Sequence, residues 1–278
     1  MACKKCLLLF LLFIAAGRLT FSASDAQENA LWAIWSLQTN AAARHEEIVA
    51  ACRQMQAAAP ANPLLPVALG LAAWHNLRLG KTNEAFALLS EMTAPAVTTA
   101  PTVTTAPASP TTTAGAEMGR RWLTRLDREK VRSALALYYR DAIEYPINLQ
   151  PLKKTTKEAS LPLADRWGAP WQYQLATFKV IKVARGQRYL LQSKTLLESS
   201  DLAKALAQPY AGRILLEPVS LAGSGGQNVL FQIPGDRPEK ILLSEGGQAA
   251  GITLTYIGTR ILILCDGDHW RVVPKPAR

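Results

Sequence analysis

The residues best equipped for chemistry are the tetrad Asp266-Gly267-Asp268-His269, the lone histidines His45 and His75, and the distant cysteines Cys52 and Cys265. Two carboxylates beside an imidazole are the raw material of a metal site or an acid/base pair. Asp-Gly between two apolar runs is also a strong hairpin signal, because both residues tolerate the positive backbone angles of a tight turn. The turn reading needs nothing further and is preferred. Neither His45 nor His75 has a second ligand at i+3 or i+4, as a helical zinc site wants. No Gly-x-Ser-x-Gly elbow or Gly-x-x-x-x-Gly-Lys loop occurs, and no helix start or basic residue follows the glycines of Gly223-Ser-Gly-Gly226. The expectation is therefore a non-enzymatic chain with no catalytic residues, no cofactor and no metal. An exported enzyme of unknown class is kept as an alternative.

The chain carries a formal charge of +10, spread without any Lys/Arg block. Nucleic-acid binding would want a clustered basic face with aromatic platforms, so that partner is not expected. The first residues run from Lys4 and Lys5 through the apolar stretch Leu7–Ala16 to small residues near Ala23. That order is a secretory signal, assigned to residues 1–24, with cleavage after Ala23 or a few residues later. The apolar stretch is about half of the ~20 residues a permanent span needs, so no stable membrane span is expected after cleavage. Cleavage removes Lys4, Lys5 and Arg18 and no acid, lowering the charge to +7. Cys52 and Cys265 survive it; an oxidising compartment permits a disulfide between them, and two buried thiols are the alternative.

The elements that must position these residues fall into four segments after the signal. Residues 26–92 read as four helices, about 26–39, 42–58, 64–78 and 82–92, with Gly80 ending the third and Thr82 able to cap the fourth. Trp32, Trp35 and Trp74 recur on them at helical spacing; core packing is one reading and a peptide-binding groove the other. Residues 93–116 are mostly Thr, Pro and Ala with no charge before Glu117 and no large apolar side chain, and read as a disordered linker. An amphipathic helix from Arg121, with Leu123, Leu126, Ala134, Leu137 and Tyr138 on one face, opens the segment 117–210. Residues 211–278 alternate short strands with glycine turns, the pattern of a small all-β domain.

Three resemblances attach to these segments. The helices of residues 26–92 resemble tetratricopeptide repeats, residues 74–89 being similar to the middle of one repeat, with Gly80 and Ala85 at close-approach positions. About residues 118–195 resemble the globular part of the major pseudopilin of type II secretion systems and its type IV pilin relatives. The residues that carry this are Tyr145-Pro146 after the helix, then Asp165, Trp167, Gly168, Pro170 and Tyr173. Pro146 has no amide hydrogen and should stop the helix; Gly168 and Pro170 should set a turn; Trp167 and Tyr173 should bury their rings beneath it. That family begins with a leader and an anchoring helix that this chain replaces with an ordinary export signal, so it should not polymerise. The family's calcium loop is matched only by Glu198 and Asp201, too few acids for a hard cation, and these read as a helix cap instead. Residues 228–275 are similar to the small periplasmic barrel of the proteins that couple the inner-membrane platform to the secretin.

The reading is α+β: N-terminal helical hairpins, the linker, a long helix packed on an antiparallel sheet, and a β-barrel-like C-terminal domain. The resemblance implies a periplasmic accessory or adaptor of a type II secretion or type IV pilus-like system in a Gram-negative-type bacterium, with secretion or pilus proteins as partners. A stand-alone exported helical-repeat scaffold is the first alternative.

Overall fold

A computed structural model describes residues 23–39, 44–60, 62–94, 109–155, 161–175, 188–210, 214–223, 226–235 and 238–277. The signal segment up to residue 22, positions 95–108 of the linker and residues 176–187 lie outside the described residues.

The helices come where the apolar periodicity places them: α1 Asp25–Thr39, α2 His45–Ala58, α3 Leu65–Arg78 and α4 Thr82–Thr93. Ser24 and Gln27 close the first turn of α1 reciprocally, each side chain accepting from the other's backbone amide. Helix α3 is the central one, buried along its whole run from Val67 to Leu77. Gly80 follows it in the left-handed conformation, as glycine allows. Thr82 does not cap α4; the cap position is Lys81, with no side-chain bond.

Helix α5, Pro110–Ala142, starts seven residues earlier than the linker assignment allows. Ser109 caps it by accepting from the Thr112 amide at 3.2 Å, and Pro110 occupies the first turn, where its missing N–H costs nothing. The residues that made 110–116 look like linker are what let it pack. A Cβ on Gly115 would overlap Pro66, and one on Gly119 would stand 2.8 Å from Thr93 Cγ2 and 2.9 Å from the Leu89 carbonyl. Small side chains bring the helix axes together, so burial here comes without large apolar groups. Helix α5 ends at Ile143, which takes a left-handed φ of 63° and donates its amide to the Tyr139 carbonyl at 2.7 Å. Pro146 therefore sits beyond the stop and does not make it.

A short helix α6, Leu152–Thr155, leads to the hairpin β1 Gln172–Leu175 and β2 Tyr189–Gln192, which pairs antiparallel with Tyr173 opposite Leu191. Val131, Ala134 and Leu135 of α5 pack on Trp171 and Leu191 in one apolar cluster. Helix α7, Leu202–Leu206, is capped by Asp201, which accepts from the Lys204 amide at 3.0 Å.

The C-terminal strands make two antiparallel sheets. One has the order β3 Glu217–Ala222, β4 Asn228–Ile233, β5 Glu239–Ser244; the other β6 Gln248–Ala249, β7 Ile252–Ile257, β8 Ile261–Cys265, β9 Trp270–Pro274. Neither closes, so the expected barrel is not formed. The physical reason lies in β8, buried at every position. Leu262 and Leu264 face the β3–β5 sheet through a cluster with Val229 and Phe231. Ile261, Ile263 and Cys265 face the other way, into a cluster with Leu71, Trp74 and Trp122 of the helices. A sheet covered on both faces needs no closure to hide its apolar residues. That second cluster unites α1–α4, the first half of α5, α7 and β7–β9 in one core. The boundaries expected at 92/93, 116/117 and 210/211 thus do not separate independent cores.

Candidate functional site

The family-motif residues lie along α5: Tyr145, Pro146 and Tyr173 near its far end, and the Asp165–Pro170 turn nearer its middle, where Arg166 and Trp167 reach Asp127 and Glu117. Asp165, buried, accepts from the amides of Trp167 at 3.1 Å and Ala169 at 2.9 Å, and from the hydroxyls of Ser193 at 2.8 Å and Thr195 at 3.3 Å. One carboxylate thereby shapes the turn and ties it to the chain after β2. Gly168 supplies the turn's positive φ of 82°, and Ala164 and Pro170 close it as an isolated bridge. The Tyr173 hydroxyl donates to the Pro146 carbonyl at 2.7 Å, joining the two halves of the motif; burial and the neighbouring tyrosines push that hydroxyl's pKa up. Tyr145 stands between the rings of Tyr139 and Tyr189, 4.6 Å from each.

One ring differs from expectation. Trp167 is only half-buried and donates to Glu117 at 3.3 Å; the ring beneath the turn is Trp171, whose indole donates to the Pro162 carbonyl at 2.8 Å. Arg166 donates to Asp127 of α5 at 2.6 Å and lies over Phe86 of α4. Around this end Leu137, Ile143, Ile147 and Leu190 are exposed, Ile147 at 87%. Leu137, expected on the apolar face of the helix, points outward instead.

The tetrad is a hairpin turn, as its sequence suggests. Gly267 has a φ of 88°, and Asp266 accepts from the amides of Asp268 and His269 at 2.9 and 2.7 Å. What the sequence did not reveal is the partner of Asp268. Arg121 grips its carboxylate with two bonds, at 2.8 and 3.0 Å, and Arg125 adds a third at 2.7 Å. Trp122, one helical turn's neighbour, donates to the Asp268 carbonyl at 2.8 Å and lies under the Arg125 guanidinium. Burial pushes the Asp268 carboxyl up, but the bonds from Arg121 and the charges of both arginines outweigh it and bring its pKa down to about 2. Arg121 and Arg125 stand four apart on α5, a spacing that brings both guanidinium groups to the same carboxylate.

Trp35 and Trp74 belong to the core at 5% and 7% exposure, both edge-on to Tyr210. Trp32, three residues and so roughly 60° around the helix from Trp35, is 37% exposed. The three rings do not share a groove, and the core-packing reading holds for two of them. The structure also joins His45 and His75, whose Nδ1 atoms lie 2.7 Å apart; burial first, then mutual and Arg78 repulsion, lowers His75 to about 4. Among the described residues no group of three His, Cys, Asp or Glu side chains comes together as a metal site. Cys52 and Cys265 are free thiols in the same core, not a disulfide, and burial raises each to about 12. No helix among the described residues is long and apolar enough to cross a membrane.

No protein-family model, curated protein or solved structure matches the chain.

Proposed function

We propose that this chain is a non-enzymatic accessory or adaptor protein of the periplasm, working by protein–protein binding in a type II secretion or type IV pilus-like system. The observation that carries the reading is the order of parts at residues 110–192. A long helix is followed by the Tyr145-Pro146 turn, then the Asp165–Tyr173 turn, then an antiparallel hairpin packed back on the same helix. The bond from Tyr173 to Pro146 gives the two halves of the pseudopilin-like pattern a common physical purpose.

The binding face assigned here is the motif end of α5, where Leu137, Ile143, Ile147 and Leu190 offer apolar contact area to water. A scaffold made of residues 26–92 alone is the weaker alternative, because those helices share their core with β8 and β9. The test is an affinity capture from periplasm with the exported chain as bait, run beside the double variant Ile143→Asp, Ile147→Asp. Recovery of a secretin, platform or pilin-like protein by the parent and its loss in the variant is the expected result. Recovery of none of these by the parent overturns the partner assignment.

A further inference from the structure

Glu28, in the first turn of α1, is wholly buried. Its Oε1 accepts from the Tyr256 hydroxyl and the Thr259 amide, both at 2.9 Å; its Oε2 accepts from the Arg260 amide at 2.8 Å and the Thr259 hydroxyl at 3.2 Å. The β7–β8 turn is fitted around it, since a Cβ on Gly258 would overlap the carboxylate. Asp25 adds a second acid that shares the single Thr259 hydroxyl proton with Glu28, its Oδ1 the nearer acceptor at 2.6 Å. Every one of these donors is neutral. The nearby cations turn elsewhere: the Arg260 guanidinium donates to Asn29 at 3.1 Å and Lys275 to the Gly258 carbonyl at 2.7 Å. Among the described residues neither carboxylate takes part in an ion pair. A buried carboxylate gains from a counter-charge nearby.

The Ala23 nitrogen stands where such a charge would act. It donates to the Tyr256 hydroxyl at 3.1 Å, the same hydroxyl that donates to Glu28. Ala23 itself is 5% exposed and packed in the main core. As a peptide amide this nitrogen brings one donor; as a chain terminus it would bring an ammonium charge one hydroxyl away from the carboxylate.

We infer that the export signal is removed at the Ser22–Ala23 bond and that the new α-ammonium is seated on Tyr256 beside Glu28, clasping the mature N-terminus to the β7–β8 turn. This rests on the export reading and assigns it a bond. The sequence accommodates it, because Thr20 and Ser22 place small residues at both positions the cleavage rule reads. Cleavage after Ala23, the sequence-based expectation, would put bulky Phe21 at one of them. Cleavage after Ser24 or Ala26 satisfies the rule but discards Ala23 from the core and the Ser24 side of the cap with Gln27.

The experiment is to express the full chain with its own signal in a Gram-negative host and determine the N-terminal residue and intact mass of the product. Ala23 as first residue is expected. A first residue at Ser24 or later overturns the clasp while leaving export standing; a cytoplasmic product that keeps the signal overturns both. The seated amine has its own readout. At neutral pH an α-amine-selective acylating reagent should leave the folded product at least ten-fold less labelled than the urea-unfolded one, and Glu28→Gln should restore labelling. Equal labelling of the folded and unfolded parent overturns the seating.

Discussion

Replacing Asp268 by Asn leaves Arg121 and Arg125 facing one another across a turn where Arg125 keeps only 1% of its side chain exposed. Uncompensated buried charge costs about 3–5 kcal/mol, so a urea melt of Asp268→Asn should lose that much; a loss below ~1 kcal/mol would show that the pair does not anchor the hairpin to α5. Acid should act on the same residue. With a folded pKa of about 2 against an ordinary 3.8, Asp268 contributes stability that is complete above pH 3.8 and lost as pH falls toward 2. His75 adds a second window. Its folded pKa of about 4 lies below its ordinary 6.5, so the unfolded chain takes up the proton first and stability declines as pH falls from 6.5 to 4. Denaturation midpoints measured across both windows should show two successive losses, the upper one reduced in His75→Gln to the part that His45, lowered by burial and Arg78, still contributes. At this scale the sequence disclosed the Asp-Gly turn but not its partner, because Arg125 and Asp268 are 143 positions apart and nothing local to either points to the other. The same distance problem hid the His45–His75 contact, which joins two helices, while the Asp201 cap, a bond across three residues, could be read directly.

Helix α5 carries two packings on one rod, about 50 Å long at 1.5 Å per residue. Its first half lies against α3, α4 and β7, its second against the β1–β2 hairpin. Gly119 sets the depth of the first contact, so Gly119→Val should push α5 away from Thr93 and Leu89 and cost about 1–3 kcal/mol by overpacking. A thermal melt reads the loss, and an unchanged midpoint would mean the helices can part freely. The helix boundaries were legible to within a few residues wherever periodicity and caps agree, as at Gly80. They were misread at 110–116, since a Thr/Pro/Ala composition looks unable to bury surface, and only Pro66, facing Gly115, shows that smallness was what the contact required. Strands were legible for a complementary reason: β8 is apolar throughout because both of its faces are covered, which the sequence registers as a strand without saying what covers it.

The molecule as a whole departs from the expected string of modules. A chain of separate domains would unfold in steps, whereas helices and sheet with a common core should melt together. Scanning calorimetry is expected to give one principal transition that includes α1–α4 and β7–β9; a separate transition for residues 23–94 would contradict the shared core. Composition and turn signals divide the chain into segments by local pattern alone. What they could not register is that the exposed side of each was made for another, since apolar faces look the same in sequence whether they meet a neighbour or a distant strand. The clasp of the β7–β8 turn on Glu28, spanning 232 positions, and the grip of Arg125 on Asp268 carry a consequence for how the protein comes into being. Synthesis and any passage through a membrane deliver the N-terminus first, so α1 to α4 emerge with Leu31, Leu71 and Trp74 uncovered and wait for nearly the entire remaining chain before β8 and β9 arrive to cover them. Folding must therefore be a late event, and a chain broken off anywhere before Trp270 would be left holding an open core, a target for proteases and chaperones and not a smaller working protein.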